Sequence, residues 1–230
     1  MIFRRALRRV LPQSLALALR REWLAWRIVT GTAFEEHELE LLPNFVRPGD
    51  VCWDIGANSG MYTVPLARLA DRVFAFEPVP HSFEILERVA RRARLRNVTM
   101  RPVAIADFEG VSRMRIPTEG FYGGYYLAAL DQQGSVPVDV ASIDGLIADG
   151  VPEPDFIKCD VEGAETRVID GARRLLGRRR PIWLLETFED HVVSLMQSLG
   201  YRAHIHGGGG RLVPVERRTG ISRNYLFLPQ

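Results

Sequence analysis

Short apolar runs alternate with helix-type patterns along most of the chain. Runs that fit buried strands cover 51–55, 72–77, 98–105, 155–160 and 181–187. Between them, apolar residues recur at helical spacing over about 60–70, 81–95, 164–176 and 189–199. Parallel strands need crossover helices, so this alternation predicts an α/β fold with a mainly parallel sheet and helices on both faces.

The C-terminal part follows a different pattern, because its strand-like runs have no helix between them. These runs lie at about 201–206 and 223–228, with a shorter one at 211–215. We predict an antiparallel hairpin at one edge of the sheet, with the Gly207–Gly210 run as a loop tip. The segment 108–140 mixes short β-like runs with turn residues and predicts hairpin or irregular structure.

The N-terminal part is helical in pattern and basic. Apolar residues at mostly helical spacing over 2–29 are interleaved with Arg4, Arg5, Arg8 and Arg9, and a second helical pattern runs from Phe34 to Phe45. We therefore divide the chain into a helical extension, 1–45, and one catalytic domain, 46–230. The basic helix fits a domain-leading helix, a partner contact or, with Trp23 and Trp26 nearby, a peripheral membrane contact.

Composition adds few constraints. The hydrophobic fraction of 47% and the charged fraction of 25% are ordinary for a soluble globular protein. The net charge of +2 argues neither for nor against nucleic acid, and we expect none as a partner. The runs around Cys52 and Cys159 look like buried strands, so we expect buried thiols and a cytoplasmic protein.

The stretch Asp54-Ile-Gly-Ala-Asn-Ser-Gly60 lies at the end of a predicted strand and opens a helix. Ligands of such folds bind at this place, and Gly56 and Gly60 let the backbone come close to one. The next strand ends at Glu77, where an acidic residue can accept hydrogen bonds from both hydroxyls of a ribose. The pattern indicates a nucleotide-type cofactor.

Two features argue against a dinucleotide. Asn58 replaces the middle glycine of the dinucleotide fingerprint, and the charge of Asp54 disfavours a pyrophosphate. S-adenosylmethionine has an ammonium, a sulfonium, a ribose and an adenine but no phosphate, and it fits better. Asp107 ends the third strand, where such folds place an acid or amide against the adenine amino group. An NAD(P)-dependent oxidoreductase and a non-catalytic nucleotide-binding domain stay open as alternatives.

A second group of polar residues lies in Asp155-Phe-Ile-Lys-Cys-Asp-Val-Glu162. Lys158, the only lysine, and Asp160 alternate on one face of the predicted strand, and Glu162 follows at the turn. Asp160 and Glu162 are the candidate catalytic bases, and Lys158 would orient the base or lower the pKa of an acceptor hydroxyl. The alternatives are a structural Lys158–Asp160 ion pair and a Mg²⁺ site that includes Glu186. We otherwise expect no metal.

Five stretches together resemble successive motifs of the FkbM family of S-adenosylmethionine-dependent methyltransferases: DIGANSGMYTVPLA, FAFEPVPHSFEIL, AIADFEGVSRM, DFIKCDVEGAETRVIDGA and RPIWLLET. The resemblance covers about 50–190. It implies the class I, Rossmann-like methyltransferase fold, with a seven-stranded sheet and an antiparallel edge strand.

The resemblance also implies O-methylation of hydroxyls on sugars, polyketides and related metabolites, so the expected partner is a small-molecule or glycan acceptor. It assigns cofactor contacts to six residues of this sequence: Asp54, Gly56, Asn58, Gly60, Glu77 and Asp107. The aromatic-glycine segment 121–126 is the expected substrate wall, because aromatic faces suit sugar and polyketide rings, with a packed hairpin turn as the alternative.

Overall fold

The structure is a computed structural model, and it describes residues 13–33, 36–115, 129–130, 134, 136–218, 220 and 223–230. The N-terminal half contains α1 (Gln13–Val29), a 3-10 helix (His37–Leu41), α2 (Leu42–Phe45), β1 (Val51–Ile55), α3 (Thr63–Leu69), β2 (Arg72–Phe76), α4 (Pro80–Ala93), β3 (Val98–Arg101), β4 (Val103–Ile105) and β5 (Gly110–Arg115). The C-terminal half contains β6 (Ala129–Leu130), β7 (Val136–Ala141), α5 (Ile143–Ala148), β8 (Phe156–Cys159), α6 (Glu165–Asp170), α7 (Arg173–Leu176), β9 (Ile182–Glu186), α8 (Asp190–Ser198), β10 (Tyr201–His206), β11 (Leu212–Val215) and β12 (Asn224–Pro229).

The main sheet has the strand order β11-β10-β12-β9-β8-β1-β2-β3. The pairs from β3 through β2, β1 and β8 to β9 are parallel. β12 is antiparallel to both β9 and β10, so β10 runs in the same direction as the parallel strands. This confirms the predicted α/β class with a mostly parallel sheet.

Two details of the sheet differ from the prediction. The described part of the sheet has eight strands rather than seven, because the short β11 pairs with β10. The predicted antiparallel edge strand is confirmed as β11, whereas the last strand of the chain, β12, is inserted between β9 and β10. Local patterns identify these strands, but only long-range pairing decides their order.

The strand predicted over 98–105 is broken at Pro102. Proline cannot donate a ladder hydrogen bond, and the chain leaves the main sheet at this point. β4 then pairs with β7 in a second sheet, in which β7 also pairs with β5 and β5 with β6. This small sheet brings β4 and β5 over the carboxyl end of β2.

Both faces of the main sheet are buried. On one face, Trp53, Ile157 and Trp183 belong to a large core cluster with α6, α7 and α8. On the other, Cys52 and Phe156 pack with Leu42 and Leu66. Cys52 and Cys159 are free, buried thiols, as predicted. The core therefore holds the central strand ends in fixed register.

The N-terminal segment packs onto this domain. Ala25 and Ile28 of α1 are buried against Val64, Ile85 and Val89. The predicted helix over 2–29 is observed as α1, and its first residues lie outside the described part of the chain. The second helical pattern is a 3-10 helix followed by a single turn, and it includes buried Leu41 and Leu42. In the described residues, no helix is long and apolar enough to cross a membrane.

Candidate active site

Gly56 and Gly60 of the loop after β1 both have a positive φ and both lie close to a neighbouring segment. Gly56 has a φ of +75°, and a Cβ atom there would lie 1.8 Å from the backbone oxygen of Asp160. Gly60 has a φ of +91°, and its Cβ would lie 2.8 Å from Leu86 on α4. Asn58 also has a positive φ, +48°, which asparagine tolerates better than most residues. The loop is thereby pressed against the turn that follows β8.

The amide groups of this loop donate within the protein. Gly56 and Ala57 both donate to the carbonyl oxygen of Phe76 at 3.0 Å, and Gly60 donates to Ala57 at 2.8 Å. The amide of Asn58 donates to Glu77 at 2.7 Å. These four amides therefore already donate hydrogen bonds within the protein. A phosphate group bound here would need such amides as free donors.

Glu77 directly follows β2 and is buried. One carboxylate oxygen accepts from the Asn58 amide, and the other accepts from the Val79 amide at 2.8 Å. Burial raises the pKa of Glu77 to about 7, although the two backbone hydrogen bonds oppose the shift. The acidic side chain is thus fixed in position at the strand end, as the sequence predicted for a ribose-binding acid.

Asp54 lies behind the loop in the core. Its carboxylate accepts a hydrogen bond from the Thr63 hydroxyl at 2.5 Å, and burial raises its pKa to about 6. Asp54 and Gly60 do not line the cleft described next, and their assignment as cofactor contacts stays a prediction.

A cleft that is open to solvent lies beside Glu77. Its polar wall includes Asn58, Glu77, Asp160 and Glu162, and its apolar wall comes from Val79, Val103, Ile105 and Met114. This combination of an apolar slot and a few polar groups is typical of a small-molecule site. The apolar wall depends on the second sheet, which the sequence pattern did not resolve.

Asp107 lies just beyond β4 and outside the cleft lining. Arg167 donates to its carboxylate at 2.8 Å, and both side chains are well exposed to solvent. The strand break at Pro102 explains this displacement, because Asp107 follows a strand of the small sheet rather than of the main sheet. Its assignment as a cofactor contact stays a prediction.

The structure brings Lys158 and Asp160 together. Lys158 is only 2% exposed, and its ammonium nitrogen lies 3.8 Å from a carboxylate oxygen of Asp160 and 4.8 Å from the centre of the Tyr62 ring. Burial opposes the charge of Lys158, but Asp160 and Glu186 outweigh it, so the pKa of this lysine lies above its ordinary value. The ammonium is therefore charged at neutral pH.

Glu162 and Glu186 are unusually basic carboxylates. Burial, followed by the charge of Asp160, raises the pKa of each to about 7. Glu162 also has a left-handed φ of +52°, in the turn between β8 and α6. In the described part of the chain, no three His, Cys, Asp or Glu residues form a group that could hold a metal ion. The predicted substrate wall, 121–126, lies outside the described residues.

The buried carboxyl groups predict how stability depends on pH. The folded-state pKa values of Asp54 and Glu77 lie above their ordinary values of 3.8 and 4.5, so the folded protein binds protons that the unfolded chain releases. Stability should therefore fall as pH rises from about 4 to about 7, with up to about 3 kcal/mol from Glu77 alone.

Calorimetric melting temperatures between pH 4.5 and 8 would measure this dependence. We expect Glu77→Gln to flatten the curve, because the amide does not titrate, and Glu84→Gln, at an exposed position of α4, to leave it unchanged. A wild-type melting temperature that rises steadily across this range would contradict the raised pKa values of these buried carboxyl groups.

The fold and the cleft together define a class. A mostly parallel sheet with β12 inserted between β9 and β10, and a glycine loop and an acid at the ends of β1 and β2, are the features of a class I, Rossmann-like methyltransferase domain. The sequence profile of the methyltransferase FkbM domain matches residues 54–203. The chain belongs to this FkbM methyltransferase family.

Two relatives and one solved structure give the extent of the similarity. The chain is 31% identical over 152 residues to the hexuronic acid methyltransferase AglP of Haloferax volcanii, a match that covers 66% of this chain and 61% of AglP. It is 31% identical over 182 residues to the 31-O-demethyl-FK506 methyltransferase FkbM of Streptomyces tacrolimicus, covering 65% of this chain and 68% of that protein. The methyltransferase FkbM structure from Methylobacillus flagellatus matches with a TM-score of 0.53 and 19% identity, over 90% of this chain and 58% of that one, and shows the shared fold.

Proposed function

We propose that this chain is an S-adenosylmethionine-dependent methyltransferase that methylates a hydroxyl oxygen on a sugar, glycan or polyketide-like metabolite. One observation carries the cofactor assignment. The loop between Gly56 and Gly60 uses its amides internally, and the carboxylate of Glu77 stands beside it. A pyrophosphate would find few free donors there and a negative charge, whereas a ribose would find an acceptor for its hydroxyls.

The chemistry follows from the position of Asp160. It lines the same cleft as Glu77 and lies next to the buried Lys158 ammonium, so an acceptor hydroxyl beside Asp160 would face the donor. S-adenosylmethionine, when bound, supplies a methyl group on a positively charged sulfur that is already activated for transfer. What the protein adds is alignment, which contributes about 7–11 kcal/mol in favourable cases, and removal of the hydroxyl proton.

In this proposal, Asp160 and Glu162 together remove the proton of the acceptor hydroxyl. The pKa of Glu162 lies at about 7, where a general base works best at neutral pH. Asp160 is held by Lys158 and would orient the hydroxyl or accept its proton directly. The acceptor class is supported by the two relatives, one named for a hexuronic acid and the other for 31-O-demethyl-FK506.

Calorimetric titration separates this proposal from a nicotinamide-dependent oxidoreductase. We expect S-adenosylhomocysteine to bind with a micromolar dissociation constant and NAD to show no heat of binding. A Glu77→Ala variant should weaken S-adenosylhomocysteine binding by about tenfold or more, because a charge-assisted hydrogen bond is lost. Binding of NAD without S-adenosylhomocysteine would overturn the proposal, and binding of neither would favour a non-catalytic domain.

We also propose a peripheral membrane contact through one side of α1. Leu15, Leu19, Trp23 and Trp26 recur at helical spacing and are 44–51% exposed; we call them the α1 stripe. Residues 1–33 contain seven arginines and one acidic residue, Glu22, a net charge of +6 in a chain whose total is +2. An apolar stripe in a segment whose sequence is this basic fits an anionic lipid surface and disfavours pairing with a second copy.

Tryptophan fluorescence tests this contact, because Trp53 and Trp183 are buried and only Trp23 and Trp26 are exposed. We expect brominated phosphatidylglycerol vesicles to quench the emission and phosphatidylcholine vesicles to have little effect. Leu19→Ser should abolish the quenching, whereas Val111→Ser, at an exposed apolar site on β5, should not. Equal quenching in both variants, or none in the wild type, would exclude the membrane contact.

A further inference from the structure

The ammonium of Lys158 is buried without a hydrogen-bonding partner. Among the described residues, no acceptor lies within hydrogen-bond distance of its nitrogen, although Asp160 is 3.8 Å away. An ammonium group has three donors, and a buried polar group without a partner costs free energy. A ligand oxygen next to Asp160 would satisfy this group.

A second acidic side chain reaches the same place from the N-terminal segment. The hydroxyl of Tyr62 donates to the carboxylate of Glu36 at 3.5 Å, and the ring of the same tyrosine lies under the Lys158 ammonium. Burial raises the pKa of Glu36 and the positive charge of Lys158 lowers it. Glu36 lies outside residues 54–203, the part of the chain that matches the family profile.

The short 3-10 helix that follows holds Glu36 in place. Leu41 at its end is 2% exposed, and the next residue, Leu42, belongs to the core cluster that also contains Tyr62. The ring of His37 stacks on His206 of β10, with ring centroids 6.1 Å apart. These contacts anchor the helix that begins next to Glu36, whose carboxylate interacts with Tyr62 and with the charges of Lys158 and Asp160.

Among the described residues, carboxyl groups outnumber cations in this region. The charge of Asp160 raises the pKa of each of six other carboxyl groups: Glu36, Asp54, Glu77, Glu162, Glu165 and Glu186. Two cations oppose them, namely Lys158 and the exposed Arg223, which lowers the pKa of Glu162 and Glu186. The positive sulfonium of the donor would offset one further charge. An anionic acceptor would thus meet net repulsion, so we expect this chain to differ in acceptor from the relative that is named for a hexuronic acid. Hydroxyl groups would find both acceptors and a donor.

We propose that Glu36 is a specificity-determining residue of the acceptor pocket, which takes an uncharged polyhydroxylated ring. One ring hydroxyl donates to the Glu36 carboxylate, and an oxygen of the ring accepts from the Lys158 ammonium. The proposal rests on the proposed function, because it assumes that the acceptor binds beside Asp160.

The sole lysine provides a direct probe. Protein labelled with ¹³C-lysine has one lysine side-chain signal to follow, that of Lys158. The probes are the methyl glycosides of glucose, galactose and mannose and the three matching uronates, titrated into protein saturated with S-adenosylhomocysteine. We expect at least one neutral glycoside to shift the Lys158 signal, and its uronate to bind about tenfold more weakly.

Two variants test whether Glu36 causes the preference for the neutral glycoside over its uronate. Glu36→Gln should weaken binding of the neutral glycoside by about fivefold and reduce the discrimination against its uronate. Glu40→Gln is the matched control and should behave as the wild type. Glu40 lies on the 3-10 helix that follows Glu36, but its carboxylate is near His206 and not near Tyr62.

Three results would overturn the proposal. These are a uronate that binds as tightly as its neutral partner, unchanged selectivity in Glu36→Gln, and no response of the Lys158 signal to any neutral glycoside. In all of them S-adenosylhomocysteine should still bind. Loss of that binding in the wild type would instead refute the proposed function.

Discussion

Gly56→Ala is expected to abolish cofactor binding and to destabilise the domain by about 2–5 kcal/mol. The added Cβ would lie 1.8 Å from the backbone oxygen of Asp160, and the positive φ of +75° strains any residue with a side chain. The clash involves rigid backbone, so the loop and the turn after β8 must separate. This separation displaces both walls of the cleft at once.

Denaturant unfolding and calorimetry with S-adenosylhomocysteine measure the two effects. Gly31→Ala is the matched control, because Gly31 has nearly the same φ, +71°, but nothing within 4 Å of its added Cβ. The control should cost only the conformational strain, about 1–2 kcal/mol, and retain cofactor binding. Wild-type affinity in Gly56→Ala would show that the close contact between loop and turn is not needed for the site.

Asp160→Asn is expected to lower turnover by about 10²–10⁴-fold while leaving S-adenosylhomocysteine affinity nearly unchanged. The amide keeps the shape of the side chain but loses the charge that holds Lys158 and faces the acceptor. It also leaves the hydrogen bonds of Glu77 intact, so the donor side of the cleft should be preserved. Methyl transfer from labelled S-adenosylmethionine and calorimetry give the two values.

The control and a second variant distinguish the roles of the carboxylates. Asp170→Asn removes an exposed carboxylate that pairs with Arg173, and it should have wild-type turnover. Glu162→Gln should abolish the part of the pH–rate profile that rises near pH 7, because the pKa of Glu162 is about 7. Equal turnover in Asp160→Asn and wild type would remove Asp160 from the mechanism.

The sequence predicted those parts of the fold that local pattern determines. The strands near 51–55 and 72–77 are runs of apolar residues buried on both faces, and they are observed as β1 and β2. The helix predicted over 164–176 is divided into α6 and α7 at Gly171, whose Cβ would lie 2.1 Å from the Ala106 carbonyl oxygen. This close contact joins distant segments, and the periodicity of one segment does not contain it.

Helix α5 was not predicted, although its N-terminus carries a local signal. Ser142 precedes the helix, and its hydroxyl accepts a hydrogen bond from the Gly145 amide at 2.9 Å. Serine is a preferred residue at this position. The helix has only six residues, which is too short for a clear helical period.

The candidate site could be predicted where its residues lie at strand ends. The period of two in β8 placed Lys158 and Asp160 on one side, and the structure has them 3.8 Å apart. Glu36 could not be assigned in this way, because it reaches the site through the packing of the N-terminal segment. Tyr62 could not be assigned either, because it lies at the start of α3 and not at a strand end. The apolar wall that includes Met114 likewise depends on how the second sheet folds over β2.

Product analysis tests the central claim most directly. The protein would be incubated with methyl-labelled S-adenosylmethionine and hydroxylated sugar and macrolide acceptors, and the labelled atom located by mass spectrometry and NMR. We predict a methyl ether on an acceptor hydroxyl, formed by the wild type and strongly reduced in Asp160→Asn. A methyl group on nitrogen or carbon, or transfer that is undiminished in Asp160→Asn, would contradict the account.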